Sequence, residues 1–201
     1  MRLKNHYYFL RHGKVDWQKK DIAYPPDNMT SVRLTSEGIR QIISVAKKLE
    51  KKHIDLIFSS DYLRARQTAR IVADTLDLKV ILDKRLGDTN LGVYHGKLKA
   101  DFYKRFLIKT RFEKGPKNGE SWNDVRERVA SFFKSIEKKY RGKNILIVGH
   151  GDPLWLLEGV LRGLTNQELL DLILVKKEYI QKGELRKVSL QDEEDHGFSR
   201  G

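Results

Sequence analysis

Short apolar runs alternate with longer amphipathic segments along the 201 residues of this chain. The short runs suit buried strands, and the longer segments repeat their apolar positions with the period of a helix. This alternation predicts an α/β fold with a mostly parallel sheet and helices on both faces. The predicted strands cover residues 6–10, 54–59, 79–82 and 144–148, and a C-terminal hairpin is predicted from 178–181 and 185–190 with a turn at Lys182 and Gly183.

Helices are predicted between these strands. Thr35 is expected to cap the first of them, whose apolar stripe contains Ile39, Ile42, Ile43, Ala46 and Leu49. Further helices are predicted over residues 63–76, 97–112 and 121–140. Asp152 and Pro153 are interpreted as the N-cap and the first residue of another helix, and one more short helix is expected after Leu164.

Composition restricts the class of protein. Hydrophobic residues make up 39% of the chain and charged residues 33%, and no apolar stretch approaches the roughly 20 residues of a membrane span, so a soluble globular protein is expected. Residues 1–190 are predicted to form one domain, and the acidic segment 191–201 a flexible tail. The apolar run at 7–10 is too short for a signal peptide and cysteine is absent, so a cytoplasmic location is expected.

A histidine and a glycine directly follow two of the predicted strands. Arg11, His12 and Gly13 follow the first strand, and His150 and Gly151 follow the strand at 144–148. Ligands of open α/β sheets bind outside the carboxyl ends of the strands. We therefore expect the two histidines to converge on a site at one edge of the sheet.

The segment 59–69 leaves a third predicted strand and enters a helix. Within it, Arg64 and Thr68 are four residues apart and share a helix face. The start of this helix faces the same sheet edge and can offer N–H groups to an anion. Arg64 is therefore a candidate ligand for the same site.

Several partial motifs occur in one order along the chain, at residues 10–13, 34–38, 59–69, 86–92, 119–122 and 148–151. Together they resemble the histidine phosphatase superfamily, in its phosphoglycerate-mutase-like branch. The resemblance covers about residues 7–155, and several matches in register are more specific than any single one. It implies a three-layer α/β/α sandwich around a mostly parallel sheet.

The resemblance also implies a phosphohistidine mechanism that needs no metal or cofactor. His12 would attack phosphorus in line, and transfer of the phosphoryl group to water would complete hydrolysis. Arg11 and Arg64 would hold the phosphoryl oxygens with forked hydrogen bonds. His150 would donate to the same oxygens and stabilise the charge of the transition state.

The leaving group of such a reaction needs a proton. The family's usual donor is a glutamate in the loop that matches residues 86–92, and Asp88 stands at that position here, one methylene shorter. Asp88 is the candidate acid. Asp152 is a rival because a related branch places an acidic donor directly after its second histidine, although Asp152 is interpreted here as a helix cap.

The remaining candidates concern the phosphate pocket and its mouth. Gly13 and Gly151 are expected to let the backbone approach the phosphoryl group closely. Gln18 stands where the family often has an asparagine that contacts phosphate, and it is expected to reach the phosphate. Lys14 replaces a frequent glutamate and makes the mouth more basic.

Residues 97–117 contain eight cations and two acids, in a chain of net charge +13. In related proteins this region tends to lie over the active site. A basic lid would favour small phosphorylated substrates that carry a second anionic group. In the alternative interpretation, Phe102, Phe106 and Phe112 pack the segment down and its charges face water.

The sequence favours a phosphatase acting on small phosphomonoesters over three alternatives. Phosphoglycerate mutases tend to have larger insertions after the acid loop, and phosphohistidine-protein phosphatases tend to be shorter. A catalytically weak protein that binds nucleic acid or a phosphorylated partner is the alternative from another class, but no RNA-binding motif is found, so nucleic acid is disfavoured. No membrane partner is expected, and the sequence predicts no oligomeric state.

Overall fold

The computed structural model describes residues 3–17, 19 and 21–188 of the chain. Its strands are β1 His6–Arg11, β2 Leu56–Ser59, β3 Val80–Leu82, β4 Asn144–Gly149 and β5 Leu185–Val188. They form one sheet in the order β3-β2-β4-β1-β5. The first four strands are parallel and β5 runs antiparallel to β1, so the prediction of a mostly parallel sheet is confirmed.

Helices connect these strands and follow the last parallel one. Their bounds are α1 Asn28–Ser31, α2 Ser36–Leu49, α3 Leu63–Leu76, α4 Lys99–Arg105, α5 Trp122–Lys139, α6 Gly151–Arg162 and α7 Asn166–Leu174. The predicted helix 63–76 coincides with α3. The predicted cap is also confirmed, because the Thr35 side chain accepts a hydrogen bond from the Gly38 backbone N–H at 3.0 Å.

Two hydrophobic cores lie on opposite faces of the sheet. On one face, Phe9 packs in a cluster with Val129 of α5. On the other face, Leu10 packs with Ile42 of α2 and Val72 of α3. Successive strand residues point to opposite faces, so adjacent residues of β1 serve different cores. The predicted three-layer α/β/α sandwich is confirmed.

The predicted helix over 97–112 is confirmed only over Lys99–Arg105, and its extent beyond those residues is wrong. The helix α4 ends at Arg105, and a short 3₁₀ turn follows at Ile108–Thr110. Arg111 is the cause that the structure reveals: its side-chain Nε donates to the Phe106 carbonyl oxygen at 2.9 Å. In a continuous helix that carbonyl would accept from the backbone N–H of Thr110, which here bonds to Leu107 instead.

The interpretation of Asp152 as a helix cap is also wrong. The N-cap of α6 is His150, the helix begins at Gly151, and Asp152 lies within the first turn. Pro153 follows it in that turn, where a backbone N–H has no partner inside the helix and its loss carries no penalty.

The predicted C-terminal hairpin does not form. Residues 178–181 are not a strand, and β5 instead pairs with Tyr7–Leu10 of β1. The turn is real, because the Glu184 backbone N–H donates to the Gln181 carbonyl oxygen, but the Gly183 N–H donates to the carbonyl oxygens of Arg11 and His12 and ties the turn to the end of β1. Residues 189–190 of the predicted second strand, and the predicted tail 191–201, lie outside the described residues.

Within residues 3–17, 19 and 21–188, no helix is both long enough and apolar enough to cross a membrane.

Candidate active site

Two histidines stand at one edge of the sheet because β1 and β4 are adjacent and parallel. Arg11 pairs with Gly149 in the register, and the His12 backbone N–H donates to the Gly149 carbonyl oxygen at 3.0 Å. The next residue after each strand is a histidine, and the ring centroids of His12 and His150 are 5.2 Å apart. Both side chains are buried, with exposed fractions of 1% and 0%. The structure thus brings together the imidazoles that the sequence placed at two strand ends.

Arg64, from the first turn of α3, is buried beside them. Its guanidinium donates to the Asn28 carbonyl oxygen at 2.9 Å and forms an ion pair with Asp88 at 2.8 Å. It lies 4.6 Å from the ring centroid of Tyr24 and 5.0 Å from that of Tyr62. Its buried Nε has no hydrogen-bonding partner among the described residues.

Arg11 supplies a second guanidinium. Its Nη1 donates to the Ile180 carbonyl oxygen at 2.8 Å, and its guanidinium carbon lies 5.4 Å from the Tyr179 ring centroid. In the part of the chain that the structure describes, its buried Nε is also without a partner. Two guanidinium groups that each keep a buried, unused Nε–H donor are suited to binding the oxygens of an anion.

His12 is held as a neutral imidazole. Burial lowers its pKa well below the usual range, and the charges of His150, Arg64 and Arg11 lower it further. Its Nδ1 lies 2.9 Å from the Gly13 carbonyl oxygen, which can only accept, so Nδ1 carries the proton. The lone pair therefore resides on Nε2, which is the nitrogen available to act as a nucleophile.

His150 is neutral for similar reasons, because burial and then the charges of Arg64, Arg11 and Arg128 lower its pKa. Its Nε2 lies 2.9 Å from the Ser60 hydroxyl oxygen. Its Nδ1 has no hydrogen-bonding partner in the described part of the chain, and lies 3.5 Å from a carboxylate oxygen of Asp88. If Nδ1 of His150 carries the proton, this N–H group can donate to a ligand at the same site.

Asp88 lies on a loop whose backbone is hydrogen-bonded by Arg128 of α5. Arg128 donates to the carbonyl oxygens of Arg85, Gly87 and Asp88, at 2.6, 2.9 and 3.1 Å. Its remaining donors pair with the Glu120 carboxylate, at 2.7 and 3.1 Å. This network fixes the backbone that presents Asp88 to Arg64 and His150.

Asp152, the rival acid, is held by three donors. The Tyr179 hydroxyl donates to one carboxylate oxygen at 2.6 Å, and Trp122 Nε1 and the Thr89 hydroxyl donate to the other at 3.1 and 3.2 Å. These three donors fix the orientation of the Asp152 carboxylate.

Arg11, Asp88 and Asp152 line a cavity of about 420 Å³, whereas His12, Arg64 and His150 are not among its lining residues. Of the eight cations in the predicted basic lid, Lys99, Arg111 and Lys114 line the cavity, and Lys182 joins them from the segment before β5. A larger groove of about 980 Å³ lies along α3 and β3, and none of the predicted site residues lines it. The smaller cavity is therefore the one that borders the predicted site.

Comparison with known proteins assigns this arrangement to a family. The model of the histidine phosphatase superfamily (branch 1) matches residues 7–187. The chain belongs to the histidine phosphatase superfamily.

Several similar proteins are named as phosphatases or mutases. The chain is 29% identical over 164 residues to the probable phosphoglycerate mutase GpmB of Escherichia coli, covering 78% of this chain and 74% of that protein. It resembles the native structure of mycobacterial glucosyl-3-phosphoglycerate phosphatase at 26% identity and a TM-score of 0.72, covering 85% and 83% of the two chains. The fold also matches the alpha-ribazole phosphatase of Shigella flexneri, at 24% identity, a TM-score of 0.75, and coverage of 90% and 88%.

The two glycines of this histidine phosphatase have packing roles. A Cβ at Gly13 would lie 2.9 Å from the Gly38 carbonyl oxygen, and a Cβ at Gly151 would lie 2.1 Å from the Tyr179 hydroxyl oxygen. Their small size lets α2 and Tyr179 approach the strand ends. Whether they also contact a phosphoryl group stays a prediction, and so does the role of Gln18, which lies outside the described residues.

Sequence reasoning missed Tyr24, Ser60, Arg128, Tyr179 and Lys182. A signal existed for Arg128, which lies eight residues after Glu120 on the inner side of an amphipathic helix. The contributions of Tyr179 and Lys182 depend on how the segment before β5 folds back across β1, and no local pattern encodes that path. Among the described residues, no group of three or more His, Asp or Glu side chains is placed to hold a metal ion.

Proposed function

We propose that this chain is a phosphatase that hydrolyses small phosphomonoesters through a phosphohistidine intermediate on His12. One observation carries the proposal: a neutral, buried imidazole lies 5.2 Å from a second one, between two guanidinium groups that each keep an unused Nε donor. Phosphatases among the relatives support the same class of reaction.

In the first step, Nε2 of His12 attacks phosphorus, the N–P bond forms and the ester P–O bond breaks. Arg11 and Arg64 hold the non-bridging oxygens through forked hydrogen bonds. The Ser60 hydroxyl, which accepts from the Tyr62 backbone N–H, lies 2.9 Å from Nε2 of His150 and in this mechanism donates its O–H to that nitrogen. His150 then carries its proton on Nδ1, and this N–H donates to a phosphoryl oxygen.

Asp88 supplies the proton that the leaving oxygen needs. Without substrate, its carboxylate occupies Arg64 at 2.8 Å. A bound phosphoryl group takes over that guanidinium, which releases the Asp88 carboxyl to act as the general acid towards the leaving oxygen. In the second step a water attacks the phosphohistidine, the N–P bond breaks, Asp88 accepts the proton of the water, and phosphate leaves.

Trapping the intermediate tests this function. With ³²P-labelled substrate and a rapid quench, wild-type protein is expected to carry a label that is stable in alkali and labile in acid, as an N–P bond is. His12→Ala is expected to lose both the label and the turnover of p-nitrophenyl phosphate. His6→Ala is the control, because His6 is exposed at the other end of the same strand. A variant His12→Ala with wild-type turnover would refute the proposal.

The mutase reaction is the second candidate, because GpmB, to which this chain is 29% identical, is named a probable phosphoglycerate mutase. A mutase returns the phosphoryl group to the bound organic molecule, whereas a phosphatase gives it to water. Incubating the protein with 3-phosphoglycerate and 2,3-bisphosphoglycerate separates the two. Release of inorganic phosphate faster than formation of 2-phosphoglycerate supports the phosphatase, and the reverse order supports the mutase.

A further inference from the structure

Two cations of the cavity, Arg111 and Lys182, have no carboxylate within ion-pair distance among the described residues. The acids that line the same cavity are engaged elsewhere. Asp88 pairs with Arg64, Glu120 pairs with Arg128, and Asp152 accepts from three donors. Asp152 and Asp88 act on Arg111 and Lys182 only from beyond ion-pair distance, so neither cation has a direct carboxylate partner in the described part of the chain.

Arg111 is held in place by aromatic rings. Its guanidinium carbon lies 4.7 Å from the ring centroid of Tyr103, 5.2 Å from that of Phe102 and 5.5 Å from that of Trp122. Its Nε donates to the Phe106 carbonyl oxygen, and within the described residues neither terminal nitrogen has a recorded acceptor. The rings orient the guanidinium, and its terminal N–H groups remain available to a ligand.

Lys182 reaches the cavity from the segment that precedes β5. The next residue, Gly183, donates its N–H to the carbonyl oxygens of Arg11 and His12, and the Lys182 carbonyl oxygen accepts from the Gln41 side chain at 2.6 Å. The Lys182 backbone is thus fixed beside the phosphate-binding residues. Burial lowers the pKa of its ammonium group, and the charges of Arg11, Lys99 and Arg64 lower it further.

We propose that Arg111 and Lys182 form a second anion subsite, so that the preferred substrates are phosphomonoesters that carry a further carboxylate or phosphate group. This inference rests on the proposed phosphatase function and specifies its substrate class. Arg11 and Arg64 suffice for the phosphoryl group that reacts. A second anionic group on the substrate then pairs with Arg111 and Lys182, which lie among further cations in a partly desolvated cavity.

This assignment differs from a general attraction by the basic segment 97–117. Lys97, Lys104, Arg105, Lys109 and Lys117 belong to that segment but do not line the cavity. The net charge of +13 therefore does not by itself select the substrate. The preference for doubly anionic substrates is expected to depend on Arg111, which lies against three aromatic rings, and on Lys182, which comes from a distant part of the chain.

Two pairs of substrates test the subsite. 3-Phosphoglycerate and glycerol 3-phosphate differ only in having a carboxylate or a hydroxymethyl group, and fructose 1,6-bisphosphate and fructose 6-phosphate differ by one phosphate. Phosphate release gives kcat/KM for each. In at least one pair, Arg111→Met and Lys182→Met are expected to lower kcat/KM for the doubly anionic member roughly ten- to a hundredfold, the range for losing one charge-assisted hydrogen bond. The other member is expected to change less than about threefold.

The control is Lys109→Met, an exposed cation of the same segment that does not line the cavity, and it is expected to change neither member. Arg111→Lys controls for misfolding of Arg111→Met. It keeps the positive charge, so it should retain part of the preference for the doubly anionic member. The subsite is refuted if the methionine variants lose activity on both members of a pair alike. It is also refuted if they lose no activity on the doubly anionic member of either pair.

Binding measured by calorimetry separates this inference from the catalytic proposal, because it does not require turnover. If the wild type hydrolyses no substrate yet binds the doubly anionic member more tightly, and each methionine variant abolishes that difference, the phosphatase proposal fails and the subsite stands. If p-nitrophenyl phosphate is hydrolysed but both members of each pair bind and react equally well, the subsite fails and the phosphatase proposal stands.

Discussion

Replacing Arg128 by methionine removes the side chain that holds the Asp88 loop. It removes the donors of three backbone carbonyl oxygens and breaks the ion pair with the Glu120 carboxylate, which keeps its hydrogen bond from the Asn90 backbone N–H. A hydrogen bond to a charged group contributes about 1.5–3 kcal/mol, but these bonds are not additive and water replaces some of them, so we expect the free energy of unfolding to fall by about 2–4 kcal/mol. For a chain of this size that corresponds to a melting temperature lower by roughly 5–15 °C.

The same substitution should act on catalysis through the proton donor. If Asp88 shifts by about 1 Å, turnover of alkyl phosphates, whose leaving oxygen needs a proton, should fall roughly a hundredfold. Turnover of p-nitrophenyl phosphate, whose leaving group is a weak base, should fall less than about tenfold. Arg128 acts here as a positioning residue, since it contacts the loop and not the reacting atoms.

The assay is kcat for both substrates, measured well below the melting temperature that circular dichroism gives for each variant. Arg126→Met is the matched control, because Arg126 lies on the same helix but bonds to Asn166 and the Leu164 carbonyl oxygen. It should lower the melting temperature without changing the ratio of the two kcat values. If Arg128→Met lowers kcat for both substrates by the same factor, the positioning role of Arg128 is refuted.

Two further predictions concern titrating groups of the site. Asp88→Asn should slow alkyl phosphates by roughly 10²–10⁴-fold and p-nitrophenyl phosphate far less, and a uniform effect across a series of leaving groups would exclude Asp88 as the donor. Because the pKa values of His12 and His150 lie below the ordinary 6.5, the unfolded chain binds more protons as the pH falls. Stability in urea should therefore fall by up to about 1.4 kcal/mol per histidine between pH 7.5 and 5.5, and a double variant His12→Ala/His150→Ala with the same pH dependence would contradict this.

The residues that converge at the sheet edge could be located from sequence because local rules place them. His12 and His150 each follow a strand, and parallel neighbouring strands end at one edge. Arg64 is found in the same way, one turn into the helix after β2. For these residues the strand pattern and the parallel topology suffice.

Other features depend on contacts between distant parts of the chain. The end of α4 is set by Arg111 bonding to Phe106, which outweighs the helical pattern of the segment. Asp152 has the sequence context of a cap, but Tyr179, Trp122 and Thr89 bind its carboxylate. Hydrophobic periodicity describes a single element, and it contains no information about such long-range partners.

The position of β5 has a consequence for the time at which activity begins. β1 and β5 are neighbours in the sheet, yet most of the described chain lies between them in sequence. At about 5–20 residues per second, synthesis separates these two neighbours by roughly 10–40 s. Until β5 docks, Tyr179 and Lys182 are missing from the cavity and the carbonyl oxygens of Arg11 and His12 lack their partner at Gly183. The onset of turnover during synthesis would therefore report the docking of β5.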